Sequence, residues 1–195
     1  RFGGVLELVG SAPAAPISCP GGVIAGVGSA RAAIPSLDAT GPVEVIAVVF
    51  TGGPSQLLEV FGRVLFRNCH FENCAVVVGA PLAGHTGAAA LPEAAPGRHG
   101  RDKAGARLGP TLVDFVNCTF HAGPGFSWAH QLRASQGATA RLHKSVLRNM
   151  VSGTVVPGGD VRFGPACSCF PPSGVPTSAP RRGSGIEAEA CDRSM

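Results

Sequence analysis

Tyrosine is absent from this chain, tryptophan occurs once and methionine twice. Charged residues make up only 14% of the 195 positions, well under the roughly 25% usual in globular domains. Long amphipathic helices need a Leu-rich stripe backed by Glu, Lys and Arg, and that supply is lacking. No uninterrupted apolar run reaches the ~18 residues of a membrane helix, so none is expected. No basic-then-apolar leader is present. The first residue is Arg1, so a processed form or a piece of a longer product is expected. The net charge is +4, but the basic residues are scattered. Even Arg98–Arg107 and Arg181–Arg182 lack interleaved aromatics, which argues against a nucleic-acid partner.

The seven cysteines, Cys19, Cys69, Cys74, Cys118, Cys167, Cys169 and Cys191, are odd in number and irregular in spacing. A small disulfide scaffold would be shorter and denser. The closest pair, Cys167 and Cys169, has no second pair to complete a tetrahedral zinc site. No metal or cofactor is therefore expected.

What is abundant is glycine, with 28 residues, and proline, with 17. With them come branched apolar runs, as in "VEVIAVVF" (Val43–Phe50), "AVVV" (Ala75–Val78) and "TLVDFVNCTF" (Thr111–Phe120). Branched residues bounded by turn formers predict many short strands. Gly84–Gly109 is small or polar and without period, which reads as an insertion at about 80–110. The Pro/Ser/Gly-rich residues 171–195 read as a disordered tail, leaving 1–170 as the folded domain.

One pattern recurs. Phe66, Asn68, Cys69 and Phe71 fall on Phe115, Asn117, Cys118 and Phe120 at an offset of 49. A weaker copy follows at a further offset of 27, with Leu142, Lys144, Ser145 and Leu147 in those places. Self-similarity at a period of roughly 20–50 argues for stacked repeats. A spacing of 27 suits one turn of a solenoid; 49 suits two turns, or one turn carrying the insertion. Like would then stack on like: Phe66, Phe115 and Leu142 in one column, Phe71, Phe120 and Leu147 in another. Phe66 and Phe71 have opposite strand parity, so both face inward only if the chain bends between them. Asn tolerates the left-handed conformation of such a bend. Asn68 and Asn117 are expected to form a hydrogen-bonded ladder on the inside, where the Asn117-Cys118-Thr119 sequon could not carry a glycan. Ser145 in the place of Cys69 and Cys118 argues that no thiolate is required there, and Cys74 is read as core.

"FRNCHFENC" and "FVNCTF" resemble coils of the right-handed parallel β-helix proteins of the pectin-lyase-like superfamily. They are also similar to the FxNCxF-type repeats of secreted and outer-surface β-helix proteins, although the Gly-Gly-Ala-Ile element of those repeats is absent. The resemblance covers about 43–156. It implies an all-β, right-handed parallel β-helix of four to six coils, and an extracellular or cell-surface location. Enzymes of the superfamily act on polysaccharides with acidic residues that bind calcium or work in pairs.

The five aspartates, Asp38, Asp102, Asp114, Asp160 and Asp192, are widely spaced. Asp114 faces outward if Phe115 faces inward, and the register puts it beside Arg141 as a surface ion pair. His70, His121 and His143 fall at or near coil bends, where a histidine is more often plain surface than base or ligand. The "HGRDK" patch (His99–Lys103) sits in the insertion, and Trp128 reads as coil-edge packing rather than a sugar platform. No catalytic residue is assigned. The expected function is a non-catalytic secreted or surface module that binds polysaccharide or protein partners. The alternative is a fragment of a pectin-lyase-like carbohydrate-active enzyme whose catalytic coils lie elsewhere.

Overall fold

Each pass of the chain is a three-sided coil whose sides are short strands, or the two halves of one longer strand that bends between them, as in Gly22–Ala32, Ser36–Ile46 and Leu57–Arg67. In a computed structural model the described residues are 4–12, 14–52, 57–79, 110–121, 132–148, 154–155 and 159–170. Among them sixteen strands join one sheet, and every pairing is parallel. β1 (Gly4–Ala12) opens the stack; β2 (Ile17–Cys19) and β3 (Gly22–Ala32) form the next coil. β4 (Ser36–Ile46) with β5 (Val49–Thr51), and β6 (Leu57–Arg67) with β7 (His70–Glu72), form two more. Then come β8 (Ala75–Val78), β9 (Leu112–Val116) and β10 (Thr119–His121). β11 (Leu132–Ala134), β12 (Thr139–His143) and β13 (Val146–Arg148) follow, and β14 (Thr154–Val155), β15 (Asp160–Phe163) and β16 (Ser168–Phe170) close the described stack.

This is an all-β, parallel β-helix. Its second face stacks β1, β3, β4, β6, β9, β12 and β15, more levels than the four to six coils expected. The extra levels are β1 and β3 at one end, whose "VLELV" and "GVIAGVG" sequences lack the Phe-Asn-Cys pattern. The register also decides what the spacing of 49 means. Val45 pairs with Phe66, and Phe66 pairs directly with Phe115. One turn can therefore be as short as the interval from Val45 to Phe66, and the offset of 49 is one turn carrying the insertion. The predicted insertion and the tail at 171–195 lie outside the described residues.

Two inward columns carry the rings of the core, beside the buried aliphatic Leu37, Leu58, Val60, Val76, Val78 and Leu132 of the first face, which β2, β8, β11, β14 and the starts of β4 and β6 form. On the second face Leu6, Ile24, Val45, Phe66, Phe115, Leu142 and Phe163 stand in register. On the third, Phe50, Phe71, Phe120 and Leu147 do. Parallel neighbours lie about 4.8 Å apart, close to the spacing of offset-stacked rings. Phe66 stacks on Phe115 at 5.2 Å between centroids, and Phe71 on Phe120 at 4.6 Å. Across the two columns the rings meet edge to face, Phe71 on Phe115 at 5.7 Å. All four rings are fully buried.

The bend between the columns is left-handed at each level: Ala47 (φ 54), Asn68 (φ 56), Asn117 (φ 53), Lys144 (φ 51) and Ala166 (φ 59). It resets strand parity, so Phe66 and Phe71 both face in. It also leaves the backbone ladder intact. Asn68 N donates to Val116 O at 3.1 Å and Asn117 N to His143 O at 2.9 Å. The corner before the second face has its own demand. A Cβ on Gly62 (φ +87) would collide with Ala39 O, so only glycine fits the close approach there.

Candidate functional surfaces

The first surface is the corner itself. Asn117 Nδ2 donates to Asn68 Oδ1 at 2.7 Å, and both side chains are exposed. The ladder therefore runs along the outside of the coil, not the inside as expected. The physical reason is the left-handed φ, which swings Cβ outward at the corner while the next residue turns in. The inward residue is the cysteine or serine. Cys69 Sγ donates to Val45 O at 3.4 Å, Cys118 Sγ to Phe66 O at 3.5 Å, and Ser145 Oγ to Phe115 O at 3.3 Å. Each hydroxyl or thiol thus bonds the same carbonyl, that of the large apolar residue one coil earlier. This explains why Ser and Cys exchange. Cys118's thiol is held well above its ordinary range, first by its hydrogen bond with Cys69 and then by burial. Burial pushes Cys74 up to about 12. Buried thiols of this kind are inert rather than nucleophilic.

The second surface is the outward side of the second face. Val23, Glu44, Leu65, Asp114, Arg141 and Arg162 form one column. Arg141 grips Asp114 with two bonds, Nε to Oδ1 at 2.5 Å and Nη2 to Oδ2 at 2.6 Å. Asp114 raises the pKa of Arg141 in turn. Arg67 Nε stands 3.1 Å from Glu44 Oε1, without the alignment of a hydrogen bond. Asp160 is held by Arg162. On the third face Glu72 takes Arg31 at 3.1 Å and His70 at 3.5 Å. His70 pairs with Thr119 and Glu72 with His121, so the two histidines occupy adjacent coils in neighbouring columns. His85, His99, His130, Trp128 and the His99–Lys103 patch lie outside the described residues.

One pairing was not legible from sequence. On the outward side of the first face Ser36 pairs with Glu59 and Asp38 with Phe61. Asp38 and Glu59 are thereby diagonal neighbours on adjacent coils, and Ser18 lies beside Asp38. Asp38 Oδ1 is buried without a hydrogen-bond partner among the described residues. The two carboxylates are separated in sequence by the same interval as Val45 and Phe66, one bare turn. That interval is the only signal that could have found them. Among the described residues no group of three or more His, Cys, Asp or Glu gathers as a metal site, and no helix is long and apolar enough to cross a membrane.

The fold and these surfaces define a parallel β-solenoid with flat, outward-facing ladders. Comparison with protein-family models, with curated proteins and with solved structures finds no match.

Proposed function

We propose that this chain is a non-catalytic, pectin-lyase-like β-helix module, secreted or held at a cell surface, that presents its coil faces to polysaccharide or protein partners. The observation that carries this reading is how the outward carboxylates of the second and third faces are used. Four of the five, Glu44, Glu72, Asp114 and Asp160, lie against a cation, and Glu7 of β1 is the exception. A carboxylate held by both arms of Arg141 is committed to that ion pair, with its oxygens occupied by the guanidinium. What remains outward is a stiff lattice with a repeat of about 4.8 Å, suited to an extended, repetitive partner. A panel of immobilised acidic and neutral polysaccharides tests it: retention of the folded chain on at least one, with no product formed, is expected. Failure to bind any polysaccharide or extracellular-matrix protein would remove the reading.

A second reading rests on Asp38 and Glu59. Two outward carboxylates on adjacent coils are the arrangement that acid–base cleavage of a glycosidic bond requires. It predicts new reducing ends from polygalacturonate. Loss of that signal in both Asp38→Asn and Glu59→Gln would establish it, and no signal from acid to alkaline pH would remove it.

A further inference from the structure

One motif of the sequence is not accounted for by the solenoid. Asn117, Cys118 and Thr119 spell Asn-x-Thr, the acceptor pattern for an N-linked glycan. An inward ladder would close that site, and the observed corner opens it. Asn117 is exposed, its left-handed φ of 53° carrying the side chain off the coil. Cys118 turns inward and is a free thiol, so no disulfide ties the tripeptide down. Thr119 precedes the inward Phe120 on the same strand and so points outward.

The corner also has room for a bulky group. An amide nitrogen carries two hydrogens. Nδ2 of Asn117 commits one of them to Asn68 Oδ1 at 2.7 Å. The other is left for substitution, so the ladder bond survives it. The row of corners on either side, Ala47, Asn68, Lys144 and Ala166, is exposed throughout. Those alanines and the lysine make the same bend, so the backbone does not itself demand asparagine there. The chain has four asparagines, and the third position after the other three is wrong for transfer. His70 follows Asn68, Ala75 follows Asn73 and Val151 follows Asn149 in that place.

We propose that Asn117 is an N-glycosylation site. The proposal rests on the secreted or surface location proposed above. The donor is a lipid-pyrophosphate-linked oligosaccharide, brought with its transferase by a secretory pathway. Nδ2 attacks the anomeric carbon of the first sugar. The N–C bond forms as the C–O bond to pyrophosphate breaks. The lipid pyrophosphate leaves with the electron pair, and one Nδ2 proton passes to a base of the transferase. The glycan then stands on the corner between the second and third faces and touches neither inward column.

The full chain, given a secretory signal sequence and made in eukaryotic cells, tests this. Peptide-N-glycosidase is expected to lower its mass by one glycan and to convert Asn117 to aspartate, located by mass spectrometry of the peptide. Thr119→Ala should abolish the shift, and Thr119→Ser should keep it. Lumenal and secreted chains are both counted, so a variant that folds poorly still reports. The glycosylated chain is expected to melt no lower than its deglycosylated form. A wild-type chain that enters the lumen without a glycan would overturn the proposal. So would a shift that persists in Thr119→Ala, or a glycosylated chain that loses its cooperative melt while the deglycosylated one keeps it. The functional reading fails separately: a glycosylated chain that binds no polysaccharide or matrix protein removes that reading alone, and an unglycosylated chain that binds one removes only the site.

Discussion

Phe115 is where the stacked-coil reasoning is most exposed. It is fully buried and meets three rings: Phe66 at 5.2 Å and nearly parallel, Phe120 at 5.2 Å and Phe71 at 5.7 Å, both edge-on. Truncation of a buried Phe to Ala costs about 3–5 kcal/mol. Each lost ring pair adds about 0.5–1.5 kcal/mol beyond area. Strands above and below hold the cavity open by their backbone ladder, so little collapse is available. Phe115→Ala should therefore fall at the upper end, about 4–5 kcal/mol. Phe115→Leu copies what Leu142 does in the same column. It keeps most of the volume and loses the three ring pairs, at about 1.5 kcal/mol with each taken at the low end of its range. Guanidinium unfolding followed by far-UV circular dichroism measures both. A cost for Phe115→Ala of about 0.5 kcal/mol or less, the range of an ordinary surface site, would refute the two-column ring stack. So would equal costs for Ala and Leu.

Three further outcomes follow from the corners and the buried thiols. Asn117→Gly keeps the left-handed φ of 53° and loses only the bond to Asn68, so it should cost well under the ~1–2 kcal/mol of strain expected for Asn117→Val; thermal melts of the two separate them, and equal melting points would refute the corner's role. Gly62→Ala should destabilise severely, because its Cβ would collide with the backbone oxygen of Ala39; a melting point indistinguishable from wild type would contradict the close approach. Cys74 is raised by burial from 9.0 to about 12. Above pH 9.0 the unfolded chain ionises this thiol and the folded chain does not, so its contribution is full below that pH and is lost as pH rises toward about 12. Unfolding titrations at neutral pH and midway through that window should show Cys74→Val losing less stability than wild type; parallel losses would refute the assignment.

Some of this was legible in the residues because coil geometry writes itself locally. Phe66 and Phe71 cannot both face inward on one straight strand, and Asn68 between them marks the bend. The Asp114–Arg141 pair followed from the same register. The direction of the asparagine side chains did not follow. Only the left-handed φ, realised in three dimensions, turns Asn68 and Asn117 outward and the thiols in.

By itself, then, the sequence determined the recurrence, the inward phenylalanines and leucines and the interchange of cysteine with serine, because each depends on contacts repeated from turn to turn. Tertiary structure decided the rest. That Phe66 and Phe115 lie a single turn apart rests on the ladder bonding their two strands. That Asp38 and Glu59 are neighbours rests on which face each strand joins.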